Sequence, residues 1–187
     1  MPPHRADIQG MPRLPEISAD PELVQPFVSS VQHVFATMLQ LPVEVGEPSI
    51  KGGDAAEHGV SAVIGLRGEC EGSVSLGFSE ESAVRIVSLF VGREPDFGSA
   101  DFVDALGELA NMVVGGAKSR IEGRRTTITL PRVVLGPTHA ASSREDTPAI
   151  ELPCGSDCGG FTIEIAIRDR TAGQREGQTA AAPAARA

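Results

Sequence analysis

Asp104, Glu108 and Asn111 stand four and three residues apart in the stretch DALGELANMVVGGAKSRIEG, residues 104–123. At roughly 100° per residue, that spacing puts all three on one side of a helix. A carboxamide can donate to and accept from a single water molecule. A carboxylate one turn away can pair with a cation on a partner. Together the two groups could orient a water towards an electrophile while the acid fixes the register. Phosphoryl transfer asks mainly for this kind of positioning and charge stabilisation.

The same side continues through positions 115, 118 and 122, so it reads Asp, Glu, Asn, Gly, Lys, Glu. The opposite side reads Phe102, Leu106, Leu109, Val113 and Ala117, which suits a core. Gly107 and Gly116 fall near the flanks. The plain alternative is a solvated face, but such a face favours strong helix formers. Asn is a poor one, and each glycine costs about 1 kcal/mol against alanine. Glycine also lets another backbone come close. The stripe therefore reads as a docking surface, with Glu108 and Asn111 at its centre and Asp104, Gly107, Gly115 and Lys118 facing the partner.

These residues need a helix that runs from a cap at Ser99 to about Ile121. A second helix, EESAVRIVSLFVG, is capped by Ser79 and closed by Gly92. The first begins at Asp20-Pro21-Glu22 and ends before Pro42. Its apolar stripe is Leu23, Phe27, Val31, Val34, Phe35 and Met38. Between helices lie strand-like runs. VEVGEPSI is an edge candidate because of Pro48. VSAVIGLRG and GSVSLGF form a hairpin around residues 68–72. RRTTITLPRVVLG is a strand broken at Pro131, and AIELP and FTIEIAIRD flank CGSDCGG as a second hairpin. Hairpins of this kind predict an α+β domain, a mostly antiparallel sheet of about six strands with about three helices packed on it. The domain should span residues 19–170, between a flexible tail at 1–18 and a disordered one at 171–187.

Composition narrows the partners. The formal net charge is -9, and aromatics make up 4 % with no Trp or Tyr. That disfavours nucleic acid and anionic membranes. No apolar signal segment or spanning run is visible, so a cytoplasmic protein is expected. Cys154 and Cys158 could be half a zinc site, but four ligands are needed and only the loop residue His139 could join. We expect no metal site. VGGAKS at 114–119 lacks the spacing of a phosphate loop and lies within a helix. Lys118 instead suits an i,i+4 pair with Glu122, or solvent.

The pattern D-x-x-x-E-x-x-N at Asp104, Glu108 and Asn111 resembles the signature of the CheC/CheX/FliY phosphatases of bacterial chemotaxis. The continuation GELANMVVGGAKSRI and the downstream ITLPRVVLG, with Pro131, look especially CheX-like. FVSSVQHVFATMLQLPVEVG and VIGLRGECEGSVSLGFSEESAVRIVSLFVG are similar to the family too, so the resemblance covers about residues 20–168. It implies a CheC-like fold and a phosphatase acting on the phospho-aspartate of a CheY-like receiver domain. Asn111 would orient the attacking water, Glu108 would pair with the receiver's active-site lysine, and Asp104 would support orientation. The protein would need no cofactor of its own, the Mg²⁺ belonging to the receiver. A homodimer is implied as well. Two departures stand out. The interval from Asn111 to Pro131 is slightly short for the family, and the first helix carries ELVQ at 22–25 with no Glu/Asn pair, which resembles single-site CheX. The alternative of another class is a receiver-binding adaptor or flagellar-switch-like structural module without catalysis.

Overall fold

Ser79 and Ser99 each start a helix for the same physical reason. The first N–H groups of a helix have no partner within it, and a serine hydroxyl can accept from one of them. In the computed structural model Ser79 Oγ accepts from Ser82 N, and Ser99 Oγ from Phe102 N, both at 3.2 Å. The structure describes residues 21–51, 58–121, 125–138 and 149–169. The cap expected at Asp20, the tails at 1–18 and 171–187, and His139 and Glu122 lie outside the described residues.

Helix α1 runs over Pro21–Val34, α2 over Glu80–Val91 and α3 over Ala100–Arg120. Gly92 closes α2 in the left-handed conformation, as its position predicted. The end of α1 differs from expectation. Phe35–Leu39 forms a π-helical turn, and Gln40 terminates it at φ 52°. The wider i→i+5 turn shifts the phase of the stripe. Leu39 turns inward, while Met38, expected in the core, is 48 % exposed.

The strands are β1 (Glu44–Val45), β2 (Ser49–Ile50), β3 (His58–Gly68), β4 (Cys70–Phe78), β5 (Thr126–Ile128), β6 (Arg132–Thr138), β7 (Ile150–Gly155) and β8 (Phe161–Asp169). All their pairings are antiparallel. The order across the sheet is β1-β7-β8-β4-β3-β5, with β2 also on β7 and β6 also on β3. Eight strands thus occupy six positions, because both edges are broken. The first edge breaks at residues 46–48, where Pro48 cannot donate to a ladder, and the other at 129–131, before and at Pro131. The β3–β4 and β7–β8 hairpins form as predicted.

Alternation along the strands sends one row of each towards the helices. Val60, Ala62, Ile64 and Leu66 of β3 are buried there, as are Val74, Leu76 and Phe78 of β4 and Phe161, Ile163 and Ile165 of β8. Phe161 stacks between Phe35 and Phe78, with ring centroids 5.0 and 5.1 Å away. This ties the π turn to the middle of the sheet. In the intervening row three polar residues, Ser61, Ser75 and Glu164, are buried. Glu164, directly opposite Ser75, is 3 % exposed and meets Lys51 Nζ at 2.6 Å, Ser75 Oγ at 3.3 Å and His58 Nε2 at 3.8 Å.

Candidate functional site

The core side of α3 is as its periodicity predicts. Phe102, Leu106, Leu109, Val113 and Ala117 are all buried, and Ala105, Ala110 and Val114 join them. That anchorage makes α3 a rigid platform; truncating one such leucine costs about 2–5 kcal/mol. On the other side Asp104 and Glu108 are exposed, and Asn111, Gly115 and Lys118 are half-buried. Among the described residues neither Asp104 nor Glu108 has an ion pair, whereas Asp101 on the same helix is held by Arg93. The two carboxylates are therefore available to a partner. The pair expected between Lys118 and Glu122 falls outside the described residues.

The glycines divide in a way the spacing did not reveal. Gly107, expected to face a partner, is buried. A Cβ there would lie 3.3 Å from Pro131 Cγ and 3.8 Å from Val133 Cγ2. Its small size lets the second edge of the sheet approach α3, so the contact it serves is internal. Gly116 is also internal in purpose: a Cβ would stand 2.4 Å from Ser30 Oγ on α1. Only Gly115 keeps open space, with Ile128 Cδ1 at 3.9 Å as its nearest neighbour.

These contacts place the break between β5 and β6 along the site. Pro131 touches the helix at Gly107, and Ile128 approaches it at Gly115, so the connector runs antiparallel to α3. At roughly 100° per residue, Asn111 points midway between those two glycines. It is half-buried, one turn from the exposed Glu108. A half-buried amide has less freedom to lose when it takes up a water, and the exposed carboxylate stays where a partner's cation can reach it. Sequence reasoning missed the connector as part of the site. Its only trace was the T-L-P triplet that interrupts a strand pattern.

The other reactive groups lie elsewhere. Cys154 is buried under the helices, and burial pushes its thiol up to about 12. Cys158, half-buried in the β7–β8 turn, is raised by desolvation and by Asp157, with Arg85 opposing. No group of three or more His, Cys, Asp or Glu residues that could hold a metal ion occurs among the described residues. No helix among them is long and apolar enough to cross a membrane.

Comparison with known proteins agrees with this arrangement. The family model for Chemotaxis phosphatase CheX matches residues 60–155, which contain the whole of α3 and Pro131. The CheY-P phosphatase CheX of Thermotoga maritima is 32 % identical over 121 residues, covering 63 % of this chain and 77 % of that protein. The crystal structure of chemotaxis protein CheX from Vibrio vulnificus superposes with a TM-score of 0.72 at 33 % identity, over 79 % of this chain and 99 % of that one. The CheX chain of the Borrelia burgdorferi CheX–CheY–BeF3–Mg²⁺ complex gives 0.65 at 26 % identity, over 78 % and 97 %. With the family model matched over residues 60–155 and the fold shared with CheX structures, this chain belongs to the chemotaxis phosphatase CheX family.

Proposed function

We propose that this protein accelerates hydrolysis of the phospho-aspartate of a CheY-like receiver domain. The observation that carries the reading is the unpaired, exposed Glu108 one helical turn from the half-buried Asn111, on a helix fixed by a buried face. Glu108 docks on the receiver's active-site lysine. Asn111 inserts beside the acyl phosphate, and its amide accepts from and donates to one water, aiming an oxygen lone pair at phosphorus. Water oxygen bonds to phosphorus as the bond from phosphorus to the aspartyl oxygen breaks. Inorganic phosphate leaves, the receiver recovers its carboxylate, and the water's protons pass to phosphate and solvent. Asp104 supports the docked orientation, and Gly115 and Lys118 border it. The Mg²⁺ that neutralises phosphoryl charge is the receiver's own. The working compartment is the cytoplasm, and the working form a homodimer.

The test is release of inorganic phosphate from a receiver charged with acetyl phosphate. The protein should shorten the phospho-receiver's lifetime, and Asn111→Ala should abolish the effect while leaving binding intact. An Asn111→Ala variant as active as the original would remove the mechanism. Binding with no change in lifetime would make the protein an adaptor instead.

A further inference from the structure

We propose that Leu130 is an apolar docking anchor for the same phosphorylated receiver, a role that rests on the function proposed above. Leu130 is 89 % exposed, the most exposed large hydrophobic residue among those described. A lone surface leucine is ordinary; what sets this one apart is its backbone. Thr129 N donates to Gly65 O and Gly65 N donates to Thr129 Oγ1, both at 2.9 Å. The Thr129 hydroxyl in turn donates to Leu130 O at 3.1 Å. On the other side Pro131 has its φ fixed by its ring and packs against Gly107. The leucine is thus held out into solvent by a segment locked at both ends, which contributes nothing to the core.

Its location decides the occupant. Pro131 meets α3 at Gly107 and Ile128 meets it at Gly115, and Asn111 lies between those glycines on the helix, so Leu130 belongs to the segment that runs beside the Asn111 face. A protein that brings a phospho-aspartate to Asn111 comes up beside that segment. On the α3 face beside that segment Asp104 and Glu108 are exposed and Lys118 is half-buried. An apolar centre with a polar rim is the ordinary layout of a protein interface, with the charges steering and setting register. Because the segment is pinned beforehand, docking orders little new backbone. The receiver should therefore offer an apolar depression next to its phosphorylation site.

The test is steady-state phosphate release with receiver concentration varied. Leu130→Ala should raise KM about tenfold with kcat within about twofold, and Leu130→Met should restore KM to within about threefold. The fold should be untouched, because the side chain is in solvent, and an unchanged melting temperature checks this. A KM within about twofold of the original for Leu130→Ala overturns the proposal, as does a fall confined to kcat. If Leu130→Ala converts a dimer to monomers without moving KM, the leucine serves contact between copies and the proposal is again overturned. Failure of the function itself looks different: phosphate release would not be accelerated by the unsubstituted protein, and Asn111→Ala would match it.

Discussion

Gly116 of α3 lies so close to Ser30 of α1 that a Cβ at position 116 would stand 2.4 Å from Ser30 Oγ. The hydroxyl cannot simply swing away. It is fully buried and donates a 2.7 Å hydrogen bond to the Val113 carbonyl, joining the two helices. Gly116→Ala gains about 1 kcal/mol in helix propensity. The clash and the strained buried hydrogen bond should outweigh that, for a net loss of about 1–3 kcal/mol. Urea denaturation measures it. The double variant Ser30→Ala/Gly116→Ala should lose less than the two single losses added together. A Gly116→Ala variant as stable as the original would show that the helices separate at little cost.

Glu108 and Asn111 should fail in different ways. Glu108→Ala removes a docking charge, so KM should rise about three- to tenfold with a smaller change in kcat. Added salt should narrow that gap, because the original protein's ion pair is then screened. Asn111→Ala should lower kcat by about 100-fold or more and leave KM nearly unchanged. Phosphate release at two salt concentrations separates the residues, and equal effects on both constants would contradict the division of roles.

Glu164 should make stability fall in acid. Burial pushes its carboxyl up, but His58 and Lys51 beside Oε1 pull it down by more, so it sits below the usual value of 4.5. Lys51, at 2.6 Å, makes the hydrogen bond, and His58 Nε2 stands 3.8 Å from the same oxygen. A carboxyl with a depressed folded-state pKa adds stability above its unfolded value. That stability is lost as pH falls through the folded value. Thermal melts of the original and of Glu164→Gln should therefore differ above the ordinary carboxylate value and converge only as pH falls through the lowered folded-state value. A gap that stays constant into acid would rule the carboxylate out.

The π turn makes a prediction about phase. Met38→Gln should leave stability within about 0.5 kcal/mol, because the side chain is half in water. Leu39→Ala, one residue on, should cost about 2–4 kcal/mol. Denaturant midpoints of the two variants decide the matter. The reverse ranking would mean that the helix keeps its ordinary pitch to its end.

The elements that were legible beforehand depend on neighbours in sequence. Ser79, Ser99 and Gly92 mark helix ends by satisfying or relaxing the local backbone. The β3–β4 and β7–β8 hairpins follow from alternation and turn residues. Pro48 and Pro131 mark broken edges because proline has no N–H to give. The placing of Asp104, Glu108 and Asn111 on one face also follows from helical period alone. The chemistry assigned to it came from likeness to a family, since E-x-x-N is too short a pattern to name a reaction.

What needed the tertiary structure was everything that turns on what lies across from a residue. Met38 is exposed and Leu39 buried because Phe35–Leu39 form a π-helical turn, whose Phe35 stacks on Phe161, on a strand far along the chain. Gly107 and Gly116 looked alike as gaps in a helix, yet one accommodates Pro131 and the other Ser30. Leu130 read as one more strand residue until the break between β5 and β6 was found lying along α3. By itself the sequence determined which side of α3 carries the acid and the amide, because helical geometry repeats every few residues. Only the tertiary structure decided which of that helix's small residues are taken up by the protein itself, because close approach depends on contacts between segments far apart in the chain.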